Sequence, residues 1–247
     1  MSPDCLNCAA PITQNFCPNC GQKSTTHRYS IKHFLIHDFI HSVWHVDKGI
    51  LFTLKALFTR PGHSVREFIQ GKRVPYFSFV TLILLILTVS GLIAPYTHGN
   101  MSDLMPQESR TMMNDLEKFI SGHPKLILII AIPIYSVFSF LWFRKARLNF
   151  SEHLVLNSNR IIVELIAGLL VSVLTIFYTN NIVLAFLYFG MLSFLALMYN
   201  IWFFYQFFSG FNYTKKALLF RSILVPMSYY LLSFLIGVVF AIVKIKH

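Results

Sequence analysis

Long apolar stretches separated by short polar segments dominate the chain from residue 77 onwards. Five of these stretches are long enough to cross a bilayer, for which a helix needs about 20 residues. They lie at 77–95, 126–143, 161–178, 182–208 and 223–243. Only Thr179, Asn180 and Asn181 separate the third from the fourth, which predicts a tight antiparallel hairpin. The pattern predicts an all-α membrane protein whose five-helix transmembrane bundle occupies residues 77–247.

The composition agrees with membrane insertion. Of the 247 residues, 55% are hydrophobic and 13% are charged, whereas soluble domains have about 25% charged residues. The net charge of +11 favours an anionic partner. Because the charges are interleaved with large apolar residues, we expect anionic lipid and no nucleic acid. The polar N-terminus lacks the apolar region of a secretory signal, so we expect internal spans to drive insertion.

The charges are distributed unevenly among the loops. Basic residues precede the first span and follow the second and the fourth, whereas acidic residues concentrate in the loop at 96–125. By the positive-inside rule, the N-terminus and the basic loops are cytoplasmic. With five spans, Lys244 and Lys246 then lie on the non-cytoplasmic side, which conflicts with the positive-inside rule. The conflict is mild, because lysine side chains at the end of a span can extend to the membrane interface.

Four cysteines lie within the first 20 residues, as Cys5, Cys8, Cys17 and Cys20. Two C-x2-C pairs separated by eight residues are typical of a structural Zn²⁺ site, because four thiolates leave no position open for a substrate. A disulfide pair is the alternative and requires an oxidising compartment. We therefore predict a minimal zinc ribbon at residues 1–24, with reduced thiolates in the cytoplasm.

A histidine recurs at every fourth position between residues 33 and 45, as His33, His37, His41 and His45. On a helical wheel they share an arc of about 120° opposite an apolar face. This predicts an amphipathic helix at the membrane interface, whose histidines could sense pH near 6.5. Four such histidines cannot share one ion, because they spread over about 18 Å. Metal binding by adjacent pairs stays open.

The segment at 25–76 is predicted to form basic amphipathic juxtamembrane helices. Pro61 and Gly62 interrupt the first helix, and Gly71 marks a second stop. We expect basic side chains here to contact lipid phosphates or a protein partner. The candidates are Arg60, Arg66, Lys72 and Arg73.

Four polar residues near the third span form a second candidate site. Glu152 and His153 are predicted to lie in the basic inner loop, and Glu164 one turn inside the span. Arg160 precedes Glu164 by four residues, which predicts a helical ion pair. The alternative is a substrate or proton pathway lined by Glu152, His153, Arg160 and Glu164, because ionisable groups inside a span usually face a cavity.

No catalytic arrangement is recognisable, and we expect no enzymatic activity. The leading hypothesis is a scaffold or adaptor that recruits a partner or anionic lipid through the zinc ribbon and the basic face. The alternatives are a small transporter or channel using the four polar residues, and a metalloenzyme using the histidines.

Several motifs together resemble one bacterial family. They are the CxxC…CxxCGQK ribbon, the HD followed by DKG, TLKALFTRPG, GKR-x-x-Y, and SEH at 151–153. The family is domain of unknown function 3667 (DUF3667). The resemblance implies a zinc-ribbon protein of the bacterial inner membrane with no established activity. The five-span plan also resembles the Yip/Rab-interacting group in architecture.

Overall fold

The computed structural model of the protein describes residues 4–26, 29, 49–97, 110, 114, 118, 119, 122–178 and 180–245. The predicted histidine face of His33, His37, His41 and His45 lies outside these residues, as does most of the predicted acidic loop. The described part contains no β-strand, only two isolated bridges near the N-terminus.

Eight α-helices are bounded by the described residues. They are α1 Ile50–Thr59, α2 Pro61–Ile69, α3 Phe79–Ile93, α4 Pro124–Trp142, α5 Phe150–Phe177, α6 Asn181–Ala185, α7 Ser193–Phe208 and α8 Lys215–Ile245. Short 3₁₀ helices follow α3 and α4, at Ala94–Tyr96 and Arg144–Ala146. A π-helix at Phe186–Leu192 joins α6 to α7, within the stretch predicted as one fourth span.

Among the residues that the structure describes, five helices are long and apolar enough to cross a membrane, as predicted. These segments are Phe79–Tyr96, Pro124–Trp142, Phe150–Phe177, Gly190–Phe208 and Lys215–Val239. The described part of the chain is therefore all-helical with five candidate membrane-spanning helices, and this architecture fits a multi-pass membrane protein.

The third of these helices begins 11 residues earlier than the sequence predicts, at Phe150 instead of residue 161. A capping box fixes this start: the Asn149 side chain accepts from the Glu152 N–H, and the Glu152 carboxylate accepts from the Asn149 N–H, each at 2.8 Å. Both bonds satisfy N–H groups that a helix start leaves free. Glu152, His153 and Arg160 thus lie in the first three turns of α5, and their placement in or beside a loop was wrong.

The helices pack so that one end of the bundle collects the loops after α4 and α7. α5 packs against α3 and α4, and α8 packs against α4 and α7. Phe143 stacks on Phe208 with ring centroids 3.6 Å apart, which joins the ends of α4 and α7. We call this end the basic end, defined by residues 143–149 and 209–216 together with α1 and α2.

α1 and α2 lie against the basic end. The Thr53 hydroxyl accepts from the Phe77 N–H at 2.7 Å, which holds α1 beside the start of the first span. α2 packs along α7 and α5. Six of its nine residues are buried, so protein covers much of this short helix.

Candidate metal centre and buried polar cluster

The four cysteines meet at one point, as their spacing predicts. Their Sγ atoms all lie within 4.8 Å of one another, an arrangement that could hold a metal ion. The Sγ atoms of Cys5 and Cys20 are 3.6 Å apart, and those of Cys8 and Cys17 are 3.5 Å apart. All four are free thiols. The structure thus builds the predicted ligand set without a disulfide.

Two similar turns, offset by 12 residues, present the thiols. In each turn the fourth residue after the first cysteine donates its N–H to that cysteine's carbonyl, at 2.8 Å for Ala9 and 2.9 Å for Gly21. Both residues have a left-handed backbone conformation, with φ of 59° for Ala9 and 74° for Gly21. Glycine adopts this conformation at little cost, whereas Ala9 is an uncommon occupant. The two turns together, residues 4–26, form what we call the cysteine module.

Hydrogen bonds, burial and neighbouring thiols shift the pKa values of two of the cysteines in opposite directions. The Gln22 N–H, and then the Asn7 side chain, lower the pKa of Cys20 to about 6. The pKa of Cys8 is raised to about 11, because burial and the neighbouring thiols outweigh the N–H of Ala10, which lowers it. A bound cation would favour the ionised form of each thiol.

The cysteine module docks on the segment between α2 and α3. The Gln22 side-chain oxygen accepts from the Arg73 N–H at 3.2 Å. Leu6 covers Gly71, where an added Cβ would lie 2.6 Å from Leu6 Cδ1 and φ is +111°. The Arg73 guanidinium lies 4.1 Å from the centre of the Tyr29 ring. The GKR motif is therefore the docking site of the cysteine module.

The predicted lipid-binding residues have different environments. Arg60 pairs with Glu67 at 3.1 Å. The Arg66 guanidinium donates to two backbone carbonyls at the end of α7, at 2.9 and 3.3 Å. Arg73 stacks on Tyr29 as described, and Lys72 is exposed. Arg66 and Arg73 thus hold the basic end together, a role that the sequence did not reveal.

The joint between α2 and α7 is unusually close. A Cβ added to Gly62 would lie 2.2 Å from the Phe207 nitrogen and 2.5 Å from the Phe203 oxygen. The Gly62 N–H donates to the Gln206 side chain at 3.2 Å. His63 contacts Arg66 at 2.8 Å, and burial, followed by the charge of Arg66, lowers the pKa of His63. The Pro-Gly of the TRPG motif is therefore a contact point between helices.

A charged cluster lies inside the bundle. Arg160 is fully buried, and its Nη1 donates to Glu164 Oε1 at 2.5 Å, which confirms the predicted ion pair. Asn200 of α7 bonds to both residues and donates to Glu164 Oε1 at 2.7 Å. The Tyr135 ring centre lies 3.8 Å from the guanidinium carbon. The sequence showed the i,i+4 pair but not the partners on other helices.

A second, uncharged cluster lies nearer the basic end. His153 is 1% exposed, and its Nδ1 is 2.8 Å from the Ser139 hydroxyl. The Asn157 side chain donates to the Ser139 hydroxyl at 3.0 Å and to the His153 carbonyl at 2.8 Å. Ser136 also donates to that carbonyl, at 3.1 Å. Helix α4 therefore supplies hydroxyls that satisfy the polar face of α5.

The four residues of the predicted pathway are divided among three local arrangements. Glu152 belongs to the capping box, His153 to the uncharged cluster, and Arg160 with Glu164 to the charged cluster. Nε and Nη2 of Arg160 and Oδ1 of Asn157 are buried without a hydrogen-bond partner. Such groups are costly in a membrane interior unless water or a ligand reaches them.

Comparison with known proteins finds a family match over part of the chain and no activity. A family model described as "Protein of unknown function (DUF3667)" matches residues 47–91. No curated protein and no solved structure matches the chain. The matched segment contains α1, α2, the GKR motif on which the cysteine module docks, and most of the first span. The match supports the predicted resemblance to the DUF3667 family over these residues, which include TLKALFTRPG and GKR-x-x-Y.

Proposed function

We propose that the protein is a non-enzymatic scaffold of the bacterial inner membrane that recruits a cytoplasmic protein to its basic end. One observation carries the proposal: the cysteine module is anchored to the bundle, yet it leaves large apolar side chains open. Phe16 is 58% exposed and Leu6 is 50% exposed. An anchored module with exposed apolar side chains suits docking of a partner. The basic residues around it suit an acidic partner surface or anionic headgroups.

The metal of this proposal is zinc, in a structural role. A tetrahedral Zn²⁺ with Zn–S bonds near 2.3 Å places its sulfur atoms about 3.8 Å apart. Two of the pairs here lie at 3.6 and 3.5 Å, and all four sulfur atoms lie within 4.8 Å of one another, so small movements would accommodate the ion. Cys5, Cys8, Cys17 and Cys20 would hold it and leave no position for a substrate. The ion would fix the shape of the module rather than perform chemistry.

The proposed orientation places the module in the cytoplasm. Exposed basic residues collect at the end of the bundle that bears the module, including Lys72, Arg144, Lys145 and Arg147, and basic loops stay inside. All four cysteines of the chain lie in the module, so thiol labelling reports its side without engineered sites. With a chelator present, a membrane-impermeant maleimide should label the protein only after the inner membrane is opened. Labelling from the periplasm alone would contradict this orientation.

Docking can be tested with a photo-crosslinking amino acid at Thr13, an exposed position near Phe16. In intact cells we expect a discrete protein adduct that is lost in Phe16→Asp and in Cys17→Ser. The control carries the crosslinker at Tyr96, which is 65% exposed at the opposite end of α3. An adduct that is unchanged by both substitutions, or the absence of any protein adduct, would refute recruitment through the module.

A second candidate, a small transporter or channel, is favoured by the unpartnered nitrogens of Arg160. Arg160 lies ten residues into α5, about 15 Å from its start and near the middle of a bilayer about 30 Å thick. Glu164→Ala separates the two candidates. A scaffold carrying this substitution keeps the Thr13 adduct, whereas a transporter loses flux of its solute in reconstituted vesicles.

A further inference from the structure

The lengths of α3 and α4 locate the edge of the hydrocarbon at the basic end. Their apolar segments, Phe79–Tyr96 and Pro124–Trp142, have 18 and 19 residues. Each is about 27–28 Å long, so each needs its whole length to cross a hydrocarbon core of about 30 Å. The edge therefore lies near the first residue of α3 and the last residue of α4. Phe143 stacks on Phe208, which places the end of α7 at the same level.

The turn between α1 and α2 lies below this edge. The Tyr199 hydroxyl donates to the Leu57 carbonyl at 3.2 Å, and Tyr199 lies about 13 Å from Phe208 along α7. Gly62 packs against the backbone oxygen of Phe203, which is about 7 Å from Phe208 along the same helix. The turn therefore lies several ångströms inside the edge of the hydrocarbon.

The start of α1 and the later part of α2 lie closer to the edge. The Thr53 hydroxyl accepts from the N–H of Phe77, just before α3 begins. Arg66 donates to the Phe207 carbonyl at 2.9 Å, next to the end of α7. Helix α1 thus descends from the edge and α2 returns to it, with Pro61 at the lowest part of the path.

Side chains of α7 satisfy polar backbone groups at this turn. In a continuous helix the Leu57 carbonyl would accept from the N–H of residue 61, but Pro61 has none. The Tyr199 hydroxyl bonds to that carbonyl instead, and the Gly62 N–H donates to the Gln206 side chain at 3.2 Å. Backbone groups freed at bilayer depth need such protein partners, whereas water serves a turn outside the hydrocarbon.

The outer face of α1 is apolar. Leu51 and Phe58, two helical turns apart, share this face and are 75% and 49% exposed. Lys55 is the only charged residue of α1, and a lysine near the edge extends its ammonium group to the interface. Arg60 lies beside the turn, and its guanidinium reaches back to Glu67 at 3.1 Å. The hairpin therefore brings no uncompensated charge deep into hydrocarbon.

We propose that α1 and α2 form a re-entrant hairpin, residues 50–69, whose outer face contacts the acyl chains of the leaflet at the basic end. The sequence predicts juxtamembrane helices here, and the contacts with α7 indicate that the turn between them is submerged. Helix α2 leads directly to the GKR motif. The hairpin would therefore anchor the docking site of the cysteine module in the membrane.

Depth-dependent fluorescence quenching tests the hairpin in the full chain, reconstituted in vesicles of dioleoyl-phosphatidylcholine. A fluorescent amino acid replaces Leu51 or Phe58, and a nitroxide is carried either by the lipid headgroup or by the upper part of an acyl chain. The two positions lie about 10 Å apart along one face of α1. At Phe58 the acyl-chain nitroxide should quench several-fold more than the headgroup nitroxide. At Leu51 the order should be reversed.

Two positions calibrate the measurement. Leu85 is 46% exposed on α3, about 9 Å along that helix from its start, so a label there should reproduce the pattern expected at Phe58. Phe16 is 58% exposed on the cysteine module. With iodide present on both sides of the membrane, a label at Phe16 should be quenched several-fold more than one at Phe58.

Three results would overturn the proposal. Equal ratios of the two nitroxide signals at Leu51 and Phe58 would mean that α1 lies flat at one depth. Iodide quenching at Phe58 as strong as at Phe16 would place the turn in water. Weak quenching at Phe58 by all three agents would mean that protein covers the outer face. A label at Thr59, which is also exposed, repeats the measurement if the Phe58 variant does not fold.

The vesicles contain no other protein, and both leaflets carry the nitroxide lipids. The depth of the hairpin is therefore measured independently of partner recruitment and of the orientation of the chain in a cell.

Discussion

The close approach of α2 to α7 makes Gly62→Ala the most informative single substitution. The added Cβ would lie 2.2 Å from the Phe207 nitrogen and 2.5 Å from the Phe203 oxygen. Both are backbone atoms of a helix and cannot turn aside as the end of a flexible side chain can. α2 would have to move away from α7 by about 1 Å to restore ordinary contact.

Such a shift also weakens bonds that depend on the joint. The Gly62 N–H bond to Gln206 and the Arg66 bonds to the end of α7 span the same interface. Overpacking alone costs about 1–3 kcal/mol, and weakening a hydrogen bond from a charged donor costs about 1.5 kcal/mol more. We expect a total near 3 kcal/mol, which lowers Tm by about 6–12 °C in a chain of this size.

Thermal unfolding in detergent, followed by tryptophan fluorescence, measures the effect. Gly168→Ala is the matched control, because Gly168 lies inside α5 and its added Cβ would meet nothing within 4 Å. It should leave Tm unchanged or raise it slightly, since alanine is the better helix former. A change in Tm of about 2–4 °C corresponds to 1 kcal/mol in a chain of this size. If the Tm of Gly62→Ala lies within about 1 °C of the wild-type Tm, the close contact between α2 and α7 does not constrain the fold.

The remaining predictions concern the charged cluster, the metal and pH. Glu164→Leu should lower Tm more than Arg160→Met/Glu164→Leu does, because removing one partner of a buried pair costs about 3–5 kcal/mol while removing both leaves no uncompensated charge. Elemental analysis should find about one zinc per chain, lost after chelation or in Cys17→Ser. The pKa of His63 is lowered in the folded state, so the unfolded chain binds the proton more readily and stability should fall as pH drops below about 6.5. His63→Gln should reduce that slope in a series of thermal unfolding curves.

Each of these has a result that contradicts it. A double variant no more stable than Glu164→Leu would mean that the ion pair does not govern the cluster. Iron in place of zinc, or metal that remains in Cys17→Ser, would refute the structural zinc site. Equal pH slopes for the wild type and His63→Gln would show that burial of His63 does not influence stability.

The spans and the cysteine site could be predicted because their causes are local. A bilayer requires about 20 consecutive apolar residues, and a C-x2-C pair places two thiols on one turn. The i,i+4 relation of Arg160 to Glu164 is equally local and was predicted correctly.

The start of α5 could not be read from hydropathy, because its polar residues are buried by partners elsewhere in the chain. His153 and Asn157 bond to hydroxyls of α4 at Ser136 and Ser139. One signal was present: residues 153, 157, 160 and 164 follow helical spacing and share one face. No local pattern could show that Arg66 bonds to carbonyls about 140 residues later.

The polar face of α5 bears on how the chain enters the bilayer. If α5 entered the bilayer without α4, its first half would expose an amide and a guanidinium to hydrocarbon. Inserting the arginine at a helix centre costs about 2.5–3.5 kcal/mol by itself. The hydroxyls that satisfy part of this face belong to α4, the segment synthesised just before it. The two helices should therefore leave the translocon as a pair, with α4 staying at the channel until α5 is beside it.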